Sequence, residues 1–362
     1  MILVRLTQGE KHVVSIIAQS GAPTGNHQTL AGPRNIVWRT WSVWQLLVHM
    51  VEYEIFFRKH RLALYTATGH ITPTPPFDFA QSLHFLGYFA PMQHEHTLSA
   101  HTLTKAIYAD GQVIVFQLTS TGTIEAPQLA YTLYSQQPID ASTRSAAIDR
   151  ITFFLSLADD LRPFYLTGRS DPNFAAIIEQ LYGYHQVKFV TPFESACWAI
   201  LSQRNLLTVA QKMKQALAER FGGSLDVDGT IYWAFPEPAP LALVSEGELA
   251  DVIGNIRKGE QLSAVARAFS EVDEEFLRTA SYDEVETWLR KIKGIGTWSA
   301  QFILLRGLGR TEHVPLSEKK LLQAVSRTYG RGQEMTSETL QRIADQYSTW
   351  QGYWAHYLRV AS

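Results

Sequence analysis

From Leu289 to Ala300 the chain reads Leu-Arg-Lys-Ile-Lys-Gly-Ile-Gly-Thr-Trp-Ser-Ala, and no other stretch limits its fold as tightly. Apolar spacing on either side predicts helices over Asp283–Lys291 and Thr297–Leu308, with room between them only for a tight turn. Gly294 and Gly296 permit such a turn. Ile295 between them reads as a plug that holds the turn against a core. The N–H groups opening the second helix then face outward with the positive end of its dipole. That geometry binds a phosphate without reading a base, and Lys291 and Lys293 add charge beside it. A Gly-x-Gly alone would be an ordinary corner between helices; the preceding Lys-Ile-Lys and the following helix favour the phosphate reading.

Charge is informative only locally. The whole chain carries −2, yet from Glu286 to Arg331 nine Lys/Arg stand against three Asp/Glu. The stretch before it, with Glu271, Asp273, Glu274, Glu275, Asp283 and Glu284, is acidic. A basic face suits a nucleic-acid backbone, although a solvated helical surface would give the same count. The single cysteine, Cys197, lies in an apolar run and reads as a buried thiol. It excludes a disulfide framework and an iron–sulfur cluster held by four thiolates. The apolar stretch from Val37 to Phe57 is interrupted by Arg39, His49, Glu52 and Glu54, against a membrane span. A cytoplasmic protein is expected.

The first 70 residues show little periodicity beyond Trp38, Trp41, Trp44 and Leu47 at near-helical spacing, and are set apart as an extension (1–70). Ile71-Thr-Pro-Thr-Pro-Pro76 reads as a boundary. Strands are expected at Val113–Leu118 and Ala130–Tyr134, turns at Asp110-Gly111 and Thr121-Gly122, and helices at Asp78–Leu86 and Ser145–Leu157. These define a small α+β domain over 71–155. From 156 to 362 the pattern is helical. One long helix is expected over Phe193–Ala218, ended by glycines, and others over Glu246–Ile253, Gln261–Ser270, Glu318–Tyr329 and Ser337–Tyr347.

The glycine hairpin resembles that of the helix–hairpin–helix DNA glycosylase superfamily, most closely the DNA-3-methyladenine glycosylase II branch. Further motifs follow in the same order: Pro76-Phe-Asp-Phe79 with Ser82-Leu83 and Phe85-Leu86, Pro192-Phe-Glu-Ser195 through Gln203, and Leu304-Leu-Arg-Gly-Leu-Gly-Arg310. Together they span about residues 71 to 360. The resemblance implies an α+β protein: a small N-terminal antiparallel-sheet domain with helices, followed by an all-helical helix–hairpin–helix glycosylase core. It also implies a monomer acting on double-stranded DNA with a damaged base, no membrane, and no side-chain metal site. A monovalent cation at the hairpin backbone is the one cofactor it suggests.

Site residues follow from counting along the hairpin. The family's catalytic aspartate falls on Glu318, which keeps the charge but sets it one methylene further out. A carboxylate there would stabilise an oxocarbenium-like sugar and orient water; read without the resemblance, it is a helix-start acid capped by Ser317. Where related lyases carry a nucleophilic lysine the chain has Trp298, which implies a monofunctional enzyme. Trp298 and Phe302 share a helix face and match aromatic positions of the base pocket, suited to a cationic alkylated purine; as a bare pair they would be core. Gln203 is followed by Arg204 at the family's wedge position. The family closes its pocket with a tryptophan where this chain has Arg359, with Trp350 or Trp354 as substitutes. The implied activity is excision of a 3-methyladenine-like base. The alternative is a non-catalytic damaged-DNA binder of the same fold, because Glu318 replaces the aspartate; an oxidised-purine enzyme fits less well with Trp298.

Overall fold

Alternating apolar residues and tight glycine turns build one antiparallel sheet at the start of the computed structural model, which describes residues 64–316, 318–330 and 333–361. The helix expected around Trp38 lies outside these residues. The sheet contains β1 (Tyr65–Ile71), β2 (His96–Leu98), β3 (Thr102–Ala109), β4 (Gln112–Ser120) and β5 (Leu129–Ser135), in the order β1-β5-β4-β3-β2. At Asp110-Gly111 both residues have positive φ, 51° and 69°, as a two-residue hairpin turn between β3 and β4 requires. Strand β1 precedes the proline-rich stretch and pairs with β5 from Tyr65↔Ser135 to Ile71↔Leu129. The sheet therefore begins before the boundary read from the prolines.

One face of the sheet receives the helix Ala141–Phe154. The other is covered by a hairpin from the second half of the chain, β6 (Gly223–Val227) and β7 (Thr230–Ala234), turning at Asp228-Gly229. Leu225, Val227, Tyr232 and Ala234 on this hairpin form a small core with Ala106 and Val115 of the sheet. The expected all-helical second part is thus corrected: it contributes two strands. Cover on both faces explains why β3 is buried nearly throughout rather than on alternate residues.

The rest is helical and shares one continuous core with the sheet's inner side. The helix Pro192–Ser202 runs through its centre with residues 192–201 all buried, Cys197 among them. Thr191 caps its start, accepting from the Glu194 N–H at 3.0 Å. The long helix expected over Phe193–Ala218 is two helices. Arg204 at φ 54° breaks the run, and the second begins at Leu207. Lys258 closes the broken end, its Nζ donating to the carbonyls of Ile200 and Gln203.

A knot of buried charge ties the sheet side to this helical body. Lys214, 1% exposed, donates to Glu194 Oε1 (2.6 Å), Glu95 Oε1 (2.5 Å) and the Pro91 carbonyl (2.9 Å). Lys105 of β3 reaches the other oxygen of Glu95 at 2.9 Å.

Candidate functional site

The hairpin helices form as the sequence predicts. Tyr282–Arg290 opens on a capping box between Ser281 and Glu284. After the turn, Thr297–Phe302 continues into a π-helical turn, Ile303–Leu308, that stops at Gly309 with φ 74°. Ile295 is buried. The two glycines differ in what they do. Gly294 sits at φ 95°, and a Cβ there would lie 2.8 Å from the Gln261 side chain. Gly296 is extended, and a Cβ on it would meet nothing within 4 Å, so the turn itself does not require glycine there.

Gln203 braces the hairpin: its Nε2 donates to the Gly294 carbonyl (2.9 Å) and to Ser299 Oγ (3.1 Å). A groove of about 700 Å³ opens beside it, lined by Gln203, Arg204, Arg257, Lys258, Gly294, Gly296 and Trp298. Lys291 is exposed, whereas Lys293 is paired with Glu260 at 2.7 Å. Arg204 stands on the rim. Leu206, two residues on, is an apolar side chain 75% exposed that the sequence did not single out.

Across Trp298 lies a cavity of about 670 Å³, within the range of small-ligand sites. Trp298 and Phe302 stack at 5.5 Å with 19° between their planes. Phe189 meets Phe302 edge-on. Phe85, Tyr88 and Phe89, from the segment before β2, and Trp198 of the central helix add to the aromatic lining. Trp298 is 44% exposed and borders both the cavity and the hairpin groove.

Glu318 also lines this cavity, together with Arg306 and Arg359. Pro315 sets up its position: the Glu318 N–H donates to the Pro315 carbonyl at 3.1 Å, and the residue is the N-cap of the helix Lys319–Tyr329. Its side chain does not cap that helix. Instead one carboxylate oxygen is held by Arg359 Nη1 of the last helix, Gln351–Val360, with the two side chains 25% and 19% exposed. This helix was not foreseen. Ser317, the expected cap, lies outside the described residues.

Arg306 forms the inner wall. The π-turn carries its guanidinium over the rings of Phe85 and Phe89, 5.1 and 4.9 Å from their centroids. Nη1 donates to His356 Nδ1 at 3.2 Å. Burial, then the charges of Arg306 and Arg359, push His356 well below its ordinary value. It is therefore neutral, accepting at Nδ1 and donating at Nε2 to Tyr184 Oη. Burial also lowers Arg306, to about 10, which leaves it charged at neutral pH. Its Nη2 is enclosed and has no hydrogen-bond partner among the described residues.

Trp350 and Trp354 do not close the cavity. Trp354 is fully buried and donates its indole N–H to Tyr329 Oη, and Trp350 packs beside Phe164 and Tyr353. Arg359 takes the place at the wall. Sequence reasoning thus brought Glu318, Trp298 and Phe302 together, but missed Arg306 and Arg359 as lining groups.

No family model matches the chain. It is 28% identical over 278 residues to a DNA-3-methyladenine glycosylase of Bacillus subtilis (strain 168), covering 75% of this chain and 91% of that protein. It is 27% identical to DNA-3-methyladenine glycosylase 2 of Escherichia coli (strain K12), over 45% of this chain and 55% of that one. Among solved structures, the 3-methyladenine DNA-glycosylase from Archaeoglobus fulgidus superposes with a TM-score of 0.69 at 20% identity, covering 81% of this chain and 97% of that one. The fold is that of the helix–hairpin–helix glycosylases, and the sequence likeness runs to their DNA-3-methyladenine branch.

Proposed function

We propose that the chain is a monofunctional DNA glycosylase that hydrolyses the N-glycosidic bond of an alkylated purine in duplex DNA. One observation carries this: Glu318 lines the same cavity as the stacked Trp298 and Phe302. The hairpin amides and Lys291 hold the phosphate backbone. Arg204, at the groove beside the hairpin, is the side chain that would fill the space left by an extruded nucleotide. The base enters beside Trp298 and lies on electron-rich rings. As the bond to the sugar breaks, Glu318 offsets the positive charge growing on the sugar and orients the attacking water. Arg359 fixes the direction of that carboxylate. A monovalent cation at the hairpin would have to use second lone pairs, since the Ile292 and Gly294 carbonyls already accept from Ile295 N–H and Gln203.

The test is release of free base from methylated duplex. Glu318→Gln should slow it by roughly 10²–10⁴-fold while DNA binding persists. The grip of Arg359 on Glu318 favours a second reading, a binder whose acid is sequestered. Binding without any release by the wild-type protein would establish that reading instead.

A further inference from the structure

Where β3 meets the start of the helix Pro192–Ser202 lies a chamber of about 180 Å³. Its walls share no residue with the hairpin groove or the aromatic cavity. Phe193, Phe235 and Phe269 line it, with the Phe193 ring 6.1 and 5.8 Å from the other two. An apolar cavity of roughly 150 Å³ takes up benzene, so this chamber suits one ring or a short chain. The charges around it are matched with one exception. Lys105 meets Glu95, Lys214 meets Glu194, and Arg150 meets Glu274 at 3.1 Å. Glu237 lines the same chamber and has no hydrogen bond or ion pair among the described residues. Pro236 and Pro238 on either side fix the backbone there. Glu237 is the N-cap of the short helix Pro238–Ala242, yet its side chain does not cap it. Burial raises its carboxyl and outweighs the opposing pull of Arg150. Tyr108, also in the wall, is raised by burial and then by the charge of Glu237. A part-buried carboxylate without a partner is costly.

We propose that this chamber binds a small organic monocation, a primary ammonium carried on one aromatic ring or a short alkyl chain. The ammonium donates to Glu237, and the apolar part lies among Phe193, Phe235 and Phe269. The charge count sets the sign. Lys105 and Lys214 balance Glu95 and Glu194, and Arg150 balances Glu274, so Glu237 leaves one negative charge over. A single positive charge neutralises it, an anion adds to it, and a neutral ring leaves it unmet. One free carboxylate supplies too few oxygens for a divalent metal ion, and no cluster of three metal-ligating side chains occurs among the described residues. Ring faces add their own attraction for a cation. A ligand held here binds only the folded chain, so it stabilises the junction between the sheet and the helical body. The site is independent of the glycosylase reading, and neither stands or falls with the other.

The test is calorimetric titration of the full chain near neutral pH with benzylammonium, and with benzyl alcohol and benzoate as its neutral and anionic counterparts. The expected result is one benzylammonium per chain, bound about 10- to 100-fold more tightly than benzyl alcohol, the worth of a hydrogen bond between charged groups. Benzoate should bind more weakly still. Glu237→Gln should bring benzylammonium down to the level of the alcohol. Equal binding of amine and alcohol would overturn the proposal. So would no binding of the amine, or an undiminished affinity in Glu237→Gln. An affinity lost in Glu318→Gln but kept in Glu237→Gln would assign the amine to the aromatic cavity and overturn it as well. If Glu237→Gln does not fold, Val272→Phe decides in its place, because it narrows the same chamber without removing a charge. Undiminished amine binding in that variant would overturn the proposal.

Discussion

Replacing Lys214 with methionine tests whether the buried charge knot holds the sheet and the helices together. Methionine keeps the stem but removes the ammonium, leaving Glu194, 2% exposed, and Glu95, 18% exposed, facing each other without their shared cation. Three hydrogen bonds vanish with it. Breaking a buried pair by removing one partner costs about 3–5 kcal/mol, and for a unit of this size that corresponds to a fall in Tm of about 10 °C. The measurement is urea unfolding of wild type and Lys214→Met, with thermal melting as a check. A second substitution, Glu194→Gln, should recover about 2 kcal/mol in the Lys214→Met background and none in the wild type. The pH dependence supplies an independent sign. Burial alone would raise the Glu95 carboxyl, but Lys105 and Lys214 outweigh it and hold it at about 2. A carboxyl held below its ordinary value stabilises the fold above that value and loses the contribution as pH falls through about 4.5 toward 2. Wild-type stability should drop over that window. In Lys214→Met, Glu95 keeps only Lys105 and is held down less, so the gap between variant and wild type should narrow on acidification. A loss below about 1 kcal/mol at neutral pH, or a gap that widens in acid, would refute the reasoning.

Three further outcomes are expected. Gly294→Ala places a Cβ at φ 95° and against Gln261, so it should cost roughly 1–3 kcal/mol and weaken duplex binding; melting and binding titrations that both match wild type would count against the hairpin as the anchor. Lys291→Ala should reduce the slope of log affinity against log salt by about 0.9, and Lys293→Ala by less because Glu260 already pairs with that ammonium. Lys320 is a lysine in the cavity wall, yet borohydride should trap no covalent DNA adduct; an adduct that disappears in Lys320→Ala would make the enzyme bifunctional.

The sequence was most informative where local rules decide the outcome. The hairpin follows from glycines, an apolar plug and flanking helices within about twenty residues, and β4 and β5 follow from their β-branched and aromatic residues. It was least informative where a segment is shaped by something distant. Strand β3 is buried on both faces because β6 and β7 fold over it from more than a hundred residues away. This gives β3 no clean alternation, although Asp228-Gly229 between apolar alternations was a readable hairpin signal. The helix break after Gln203 depends on a left-handed Arg204 and on Lys258 capping from another helix, neither visible in the apolar periodicity of 193–218. In the cavity, Glu318, Trp298 and Phe302 could be counted from the hairpin because the chain between them is short. Arg306 looked like part of an apolar helix. Its role depends on the π-turn and on Phe85, Phe89 and His356 converging from opposite ends of the sequence. Arg359 was noted only as a missing tryptophan, since nothing near it in the chain announces a partner at Glu318.

Trp298 stands between two compartments, the groove beside the hairpin and the aromatic cavity. On the proposed reading, one indole therefore lies between where a strand would be anchored and where its extruded base would sit. A nucleotide joined to its neighbours spans that partition with one end held, so the anchor raises the local concentration of the base at the cavity mouth. A free nucleobase has no such tether and must enter unassisted, with only its own ring contacts to retain it. On that reading recognition would be bivalent across a fixed gauge, and loose bases would inhibit more weakly than intact strands compete.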